Sequence, residues 1–456
     1  MKKFLALLLV LVMALGLVAC SGGGNNAADN TANNTSNSQT EDTTGGDTSG
    51  DAVEIALWSF NIGGFTEAAN WDEIIAAFNE KYPNITVKVT PINYQDGDQQ
   101  LTTAISGGNA PDVIFEGPER IVGNYAREGL MVDLSDLWEA SGSDVAEGLA
   151  SVSQLDGAYY MFPVSAAAHC MGINYEVFEA AGALQYIDDE TRTWTTDGFV
   201  AAMAAIRDAI ADGTVNVAVP GIIYCGAQGG DQGTRQLVNN LYSDYFVTED
   251  GSSYNANSAN NVKALTLLQE MVADGSLAAN ASFAASDELQ AFANQTCAVT
   301  FCWNYSNYAQ YASQTQFTPY AVAFPSDDGV PEEEMAGPYG FGVFDNKDEA
   351  RIDAAKKFVD FVCNDKTVGV EVAKTTGFLP VHSDWGDVYA DAEDADIRAP
   401  FSLMTNEYLG RSYALTGGWT EQRALWWPLL QDIMLNGADV QTATDAYVAA
   451  ANANMG

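Results

Sequence analysis

An α/β fold built on a parallel sheet is what this sequence predicts, and three observations in its first third carry the prediction. Val53-Glu54-Ile55-Ala56-Leu57-Trp58 and then Ile85, Val87 and Val89 alternate as half-buried strands, while Val113-Ile114-Phe115 is a short apolar run suited to a strand buried on both faces. Between the strands lie helical patterns. Trp71, Ile74, Ile75 and Phe78 fall at i, i+3, i+4 and i+7, and Leu101–Ser106 forms a second, shorter helix stopped by Gly107-Gly108. The resulting order, strand-helix-strand-helix-strand, needs crossover connections, and those give a parallel sheet.

The later chain continues in the same style. Tyr125–Leu130 predicts a helix and Leu134–Leu137 the start of another. Gly157–Val164 reads as a strand closed by Pro163, and Gly172–Tyr175 as the next strand, followed by a helix over Glu176–Ala181 that Gly182 terminates. Phe199, Met203, Ile206 and Ile210 form a helical stripe. Cys225–Gly233 is a polar, glycine-rich interruption. Val262, Leu265, Leu268 and Val272 mark a further helix, Leu289 and Phe292 a short one, and Cys297–Cys302 a strand. Amphipathic helices follow at Ile352–Val362, Leu425–Ile433 and Val440–Val448.

The chain has 456 residues, of which 47% are hydrophobic and 18% charged, so it has the length for two or three domains and the composition to bury a core. Its 61 acidic residues against 19 Lys and Arg leave a net charge of −42. That balance opposes nucleic-acid binding, which depends on neutralising phosphates. The N-terminus carries Lys2 and Lys3, an apolar stretch Phe4–Val18, and then Leu17-Val18-Ala19-Cys20. This resembles a bacterial lipoprotein signal spanning 1–20, in which Cys20 becomes the lipidated residue. Residues 21–50 are Ser, Gly, Asn, Thr, Asp, Ala, Gln and Glu, without an aromatic or large aliphatic side chain, and predict a disordered tether. Cys170, Cys225, Cys297, Cys302 and Cys363 have no metal-ligand spacing and read as buried thiols, with a Cys170–Cys225 bridge as the alternative.

Chemistry concentrates after the third strand, in Asn109-Ala110-Pro111-Asp112-Val113-Ile114-Phe115-Glu116-Gly117-Pro118-Glu119-Arg120. Ligands of open α/β sheets bind outside the carboxyl ends of the strands, which is where Glu116, Glu119 and Arg120 fall. Taken with Phe78–Pro83, Tyr125–Leu130, Ile173–Gly182, Lys356–Val362 and Gly377-Phe378-Leu379-Pro380, this segment resembles the extracellular solute-binding proteins of ATP-driven importers, in the group that includes maltose-binding protein.

The resemblance implies an α/β, two-lobed periplasmic-binding-protein-like fold of type II. Lobe one is then 52–163 plus 298–345, and lobe two 164–297 plus 346–456, with a ligand cleft between them. It implies a non-enzymatic receptor for a mono- to oligosaccharide that delivers its ligand to ABC permease subunits. That receptor is a monomer without cofactor or metal, held by Cys20 on the outer face of a Gram-positive-type membrane. The ligand-binding residues implied are Asn61, Glu116, Glu119, Arg120, Trp303, Tyr305, Tyr339 and Trp419. Glu116 stands where relatives carry an aromatic platform, which points away from maltodextrin. A polyamine or peptide ligand, a sensor role and a cleft glycosidase are the competing readings. Neither His169 nor His382 lies in a HExxH or GxSxG setting, and no phosphate-binding GxxxxGK[ST] occurs.

Overall fold

The computed structural model describes residues 51–94, 96–227, 229–248, 251–332, 337–410 and 415–455. The expected signal, Cys20 and the tether lie outside the described residues. The first five elements follow the predicted order: strand β1 (Val53–Phe60), helix α1 (Asp72–Lys81), strand β2 (Ile85–Ile92), helix α2 (Gly97–Ser106) and strand β3 (Val113–Glu116). β1 pairs in parallel with both β2 and β3, as crossover helices require.

Further along come β4 (Phe162–Ala166), β5 (Cys170–Asn174), β6 (Val299–Trp303), β7 (Pro319–Val322), β8 (Tyr339–Val343) and β9 (Leu379–Pro380). They complete a six-stranded sheet in the order β9-β4-β8-β3-β1-β2 and a separate three-stranded sheet in the order β6-β5-β7. β8 is antiparallel to both neighbours, so late-sequence residues sit in the middle of the first sheet.

Each sheet has its own core. One joins residues 55–167 to 341–381. There Phe115 stacks on Phe341 at 4.6 Å, and Trp71 meets both rings edge-on. The other joins residues 168–324 to 404–451, around Trp194, Phe292, Trp303 and Trp426. The chain therefore crosses between lobes at Ala167–Ala168, between Phe324 and Tyr339, and between Val381 and Met404. This corrects the expected boundaries. The segment at 298 belongs to lobe two, because Val299 and Thr300 pair with Ile173 and Gly172. The second piece of lobe one instead begins near Tyr339 and runs to Val381.

Two local expectations also shift. Pro163 does not end its strand. It sits inside β4 opposite Gly340, next to a register irregularity, where its missing N–H disrupts the ladder least. Ile121–Ala126 winds as a π-helix, and turns follow it in place of a helix reaching Leu130. All five described cysteines are buried thiols, which leaves out the Cys170–Cys225 bridge. No helix among the described residues is long and apolar enough to cross a membrane.

Candidate ligand-binding cleft

The lobe-one wall is assembled at one end of the first sheet. β1 ends at Phe60-Asn61, β2 leads to Tyr94 and α2, and β3 delivers Glu116. Gly117 makes the turn in extended backbone, directly before Pro118. At the centre is Arg120. Its Nε and Nη2 donate to the two carboxylate oxygens of Asp98 at 2.6 and 3.0 Å, and Nη1 donates to Glu116 Oε1 at 2.9 Å. Glu119 Oε1 stands 3.6 Å from the same Nη1. The guanidinium also lies 4.8 Å over the Phe60 ring and 5.4 Å from that of Tyr94. One cation thus organises three carboxylates, and its planar fork suits that task.

Exposure decides which of these groups a ligand can meet. The side chains of Glu116 and Arg120 are 1% and 10% exposed, whereas Glu119 and Asp98 are 25% and 47% exposed. Glu116 and Arg120 form the foundation, and Asp98 and Glu119 present the accessible carboxylates. Desolvation, then the charge of Glu119, pushes Glu116 up to about 8 against the pull of Arg120. Burial also raises Asp98. The Arg120 hydrogen bond and the field of Arg423, on the other lobe, outweigh it and hold Asp98 below the usual carboxylate range.

Tyr94 is 43% exposed, with its ring stacked on Phe60 at 5.0 Å. Its hydroxyl lies within hydrogen-bonding reach of Glu116 and Tyr339. Tyr339 is half-buried and stacks on Phe378 at 5.5 Å. Asn61 Oδ1 is buried without a hydrogen-bond partner.

Lobe two faces this wall with helices α3 (Gln232–Leu241) and α6 (Trp419–Met434). Asp231, 1% exposed, is paired with both Arg235 and Arg423, and Arg423 Nη2 donates to its Oδ1 at 2.8 Å. Burial raises this carboxyl, but the two guanidinium groups hold it low. His169 sits at the first crossing with Nε2 3.0 Å from Gln232 Nε2. Burial, reinforced by Arg235, lowers it to about 4, so it is neutral.

Asn61, Glu116, Glu119, Arg120 and Tyr339 therefore lie at one edge of the first sheet. Three expected aromatics do not serve as open platforms. Trp303 is fully buried in the core of lobe two, edge-on to Phe292 at 5.4 Å, because every residue of β6 is buried. Trp419 is 6% exposed, and Arg235 covers its ring at 4.7 Å. Tyr305, at the start of helix α4 (Tyr305–Tyr311), has a face covered by Arg398 at 3.6 Å.

The residues that sequence reasoning missed are Tyr94, Asp98, Asp231, Arg235 and Arg423. An available signal was the rarity of Lys and Arg, 19 in all, together with the Asp231–Arg235 helical spacing. Elsewhere Asp144, His382 and Asp384 form a group of metal-ligand composition. Both ring nitrogens of His382 already face oxygens, of Asp144 at 2.7 Å and Asn364 at 3.1 Å. Asn364 is oriented by donating its Nδ2 to Asp360.

Residues 73–396 match the family described as bacterial extracellular solute-binding protein. The chain belongs to that family. A binding protein of Brucella abortus (strain 2308) is 24% identical to this solute-binding protein over 407 residues, 84% of this chain and 89% of the relative. Among solved structures, the sugar-binding protein MalE of Xanthomonas citri superposes with a TM-score of 0.70 at 17% identity, covering 88% of this chain and 97% of that one. The GacH receptor of Streptomyces glaucescens gives 0.69 at 14% identity, covering 89% and 98%. The two lobes are thus those of the MalE-like fold, and membership of the family places this solute-binding protein outside the cytoplasm.

Proposed function

We propose that this protein captures a carbohydrate, from a monosaccharide to an oligosaccharide, in the cleft between its lobes and presents it to the permease subunits of an ABC importer. The observation that carries this reading is the lobe-one wall. The exposed ring of Tyr94 stands beside the accessible carboxylates of Asp98 and Glu119, held in register by Arg120. Carboxylates accept hydrogen bonds from sugar hydroxyls, and an aromatic ring packs against the C–H face of a sugar. Tyr94 thereby supplies the platform that Glu116 cannot. Similar folds point the same way: the GacH receptor was solved with acarbose, and a Thermotoga lettingae solute-binding protein with α-D-tagatose.

The remaining parts of the proposal are that Cys20 is lipidated, that residues 21–50 tether the lobes to a Gram-positive-type membrane, that the protein acts as a monomer, and that binding involves no catalysis. Thermal-shift measurements against sugars, polyamines and peptides test the ligand class, since a ligand that binds only the native state raises its melting temperature. Stabilisation by sugars, lost in Tyr94→Ala, is the expected result. The two accessible carboxylates favour one second reading, a polyamine, and stabilisation by polyamines alone would establish it instead.

A further inference from the structure

Residues 381–386 lead out of β9 into the third crossing, which ends in helix α5 (Ala395–Glu407). Their anchor is Asp144, which is 238 positions away from His382 in the chain. His382 forms an antiparallel bridge with Val145, Ser383 Oγ donates to Asp144 O at 2.9 Å, and Asp384 N–H donates to Asp144 Oδ2 at 3.5 Å. These contacts gather one imidazole and two carboxylates, with a ligand atom of each within 4.8 Å of the other two. His382 is 6% exposed, and its ring stacks on Trp385 at 4.5 Å and on Phe162 at 6.2 Å, so it enters the cluster already oriented. Trp385 is held in turn against Gly369, where a Cβ would lie 2.3 Å from its ring. Asp384 is exposed and keeps the cluster open to solvent.

The far nitrogen of His382 decides what the near one can do. Asn364 ends the helix Glu349–Asn364 and donates its Nδ2 to Asp360 Oδ1 at 2.9 Å, which leaves its Oδ1 turned to His382 Nε2 at 3.1 Å. Nε2 therefore carries the hydrogen of the neutral ring. Nδ1 then presents a lone pair to Asp144 Oδ1 at 2.7 Å, with the Asp384 carboxylate alongside. Three lone-pair donors that face one another need a cation among them. Among the described residues neither carboxylate is ion-paired with a Lys or Arg, and a proton on Nδ1 serves only one of them. From this geometry we infer that Asp144, His382 and Asp384 bind a divalent transition metal of the zinc class, at a site that shares no residue with the cleft walls. A neutral imidazole and two carboxylates suit such an ion, whereas calcium and magnesium favour oxygen donors throughout. Asn364 and Asp360 supply the outer hydrogen bonds that a metal-bound histidine ordinarily makes through its second nitrogen. Zinc holds its ligand atoms at about 2.0–2.2 Å, so two of them stand about 3.3 Å apart. Asp144, 24% exposed in a turn, moves outward by about half an ångström to admit the ion, and water completes the coordination. The bound ion cross-links lobe-one segments far apart in sequence and fixes the start of the third crossing.

The test is calorimetric titration of the full chain with zinc chloride at neutral pH, after chelator treatment and dialysis. Saturable binding of one zinc ion per chain is expected, together with a melting temperature that rises with zinc. Asp384→Ala removes a ligand at an exposed position, so the metal-free melting temperature should stay where it is. Zinc affinity should fall at least about tenfold in that variant, and most of the zinc-dependent rise should disappear. The inference is overturned if the unmodified chain shows no one-ion step. It is overturned equally if Asp384→Ala binds zinc as tightly, because the ion then sits elsewhere. Calcium chloride tests the ion class: it should give no one-ion step, and a step with calcium but none with zinc rejects the assignment. No sugar enters the experiment, so failure here leaves the carbohydrate reading untouched.

Discussion

Arg120 is the residue on which the lobe-one wall depends, since three carboxylates share its charge. Arg120→Met removes the hydrogen bonds that hold Asp98 and Glu116 and is expected to cost about 1–3 kcal/mol of stability, measured by urea denaturation. Asp98→Asn should behave differently. Its side chain is 47% exposed, so stability should change by less than about 1 kcal/mol, while ligand affinity, read by calorimetry, falls at least about tenfold. Equal losses of stability in both variants would mean that Asp98 is scaffold and not contact. At this scale the sequence was informative about placement and uninformative about exposure. Glu116, Glu119 and Arg120 stand at the strand end as the pattern indicated. Which carboxylate faces water depends on Asp98, which is 22 residues away from Arg120 in the chain. Trp303 failed for the same reason, because a tryptophan beside a polar turn looks identical whether its ring points into a core or a cleft.

Among the elements, the helix Ala285–Ala293 is joined to β6 by a buried acid. Glu288 accepts from Thr300 Oγ1 at 2.6 Å and from Phe301 N–H at 3.0 Å, and burial raises it from 4.5 to about 8. The folded protein therefore holds a proton that the unfolded chain releases near pH 4.5. Its contribution is fully present below that pH, declines as pH rises towards about 8, and is flat above. The loss is of order 5 kcal/mol. Glu288→Gln should flatten that part of the pH profile in denaturation experiments at pH 5 and pH 8.5; an undiminished slope would assign it to Glu116, which is raised in the same direction.

Close backbone packing sets a second expectation. A Cβ on Gly340 would lie 2.2 Å from Phe162 O, so Gly340→Ala should cost about 1–3 kcal/mol by prying β8 from β4, seen as a lowered denaturation midpoint. Strands and amphipathic helices were legible because their periodicity follows from burial. Helix α3 was not. Leu237, Val238 and Leu241 do share one helical face, but all nine residues from Gly233 to Leu241 are buried although most are polar, and burial of a polar face is what periodicity does not report. Their partners, such as the Glu332 carbonyl that accepts from Asn240, come from distant sequence.

For the molecule as a whole, a net charge of −42 means that folding concentrates like charges. Added sodium chloride should therefore raise the melting temperature over the first few tenths molar, as screening shortens the reach of that repulsion. Scanning calorimetry at several salt concentrations checks this, and a melting point that falls with salt would show that ion pairs such as Asp231–Arg423 dominate instead. The two-lobed architecture was legible from the order of weak motifs, while the crossings were not. Val299–Trp303 and Tyr339–Val343 are both short buried strands in sequence, and only pairing assigns one to each sheet.

That β8 lies between β4 and β3 also governs the timing of assembly. A ribosome releases residues 53–166, and then the first segment of lobe two, 168–324, before the strand that joins the two halves of the first sheet exists. Until Tyr339–Val343 emerges, β3 and β4 are both left with an open edge, and the nascent chain cannot complete its first core. The polypeptide therefore stays pliable for about three-quarters of its synthesis, a state compatible with threading through a narrow export channel and vulnerable to premature association.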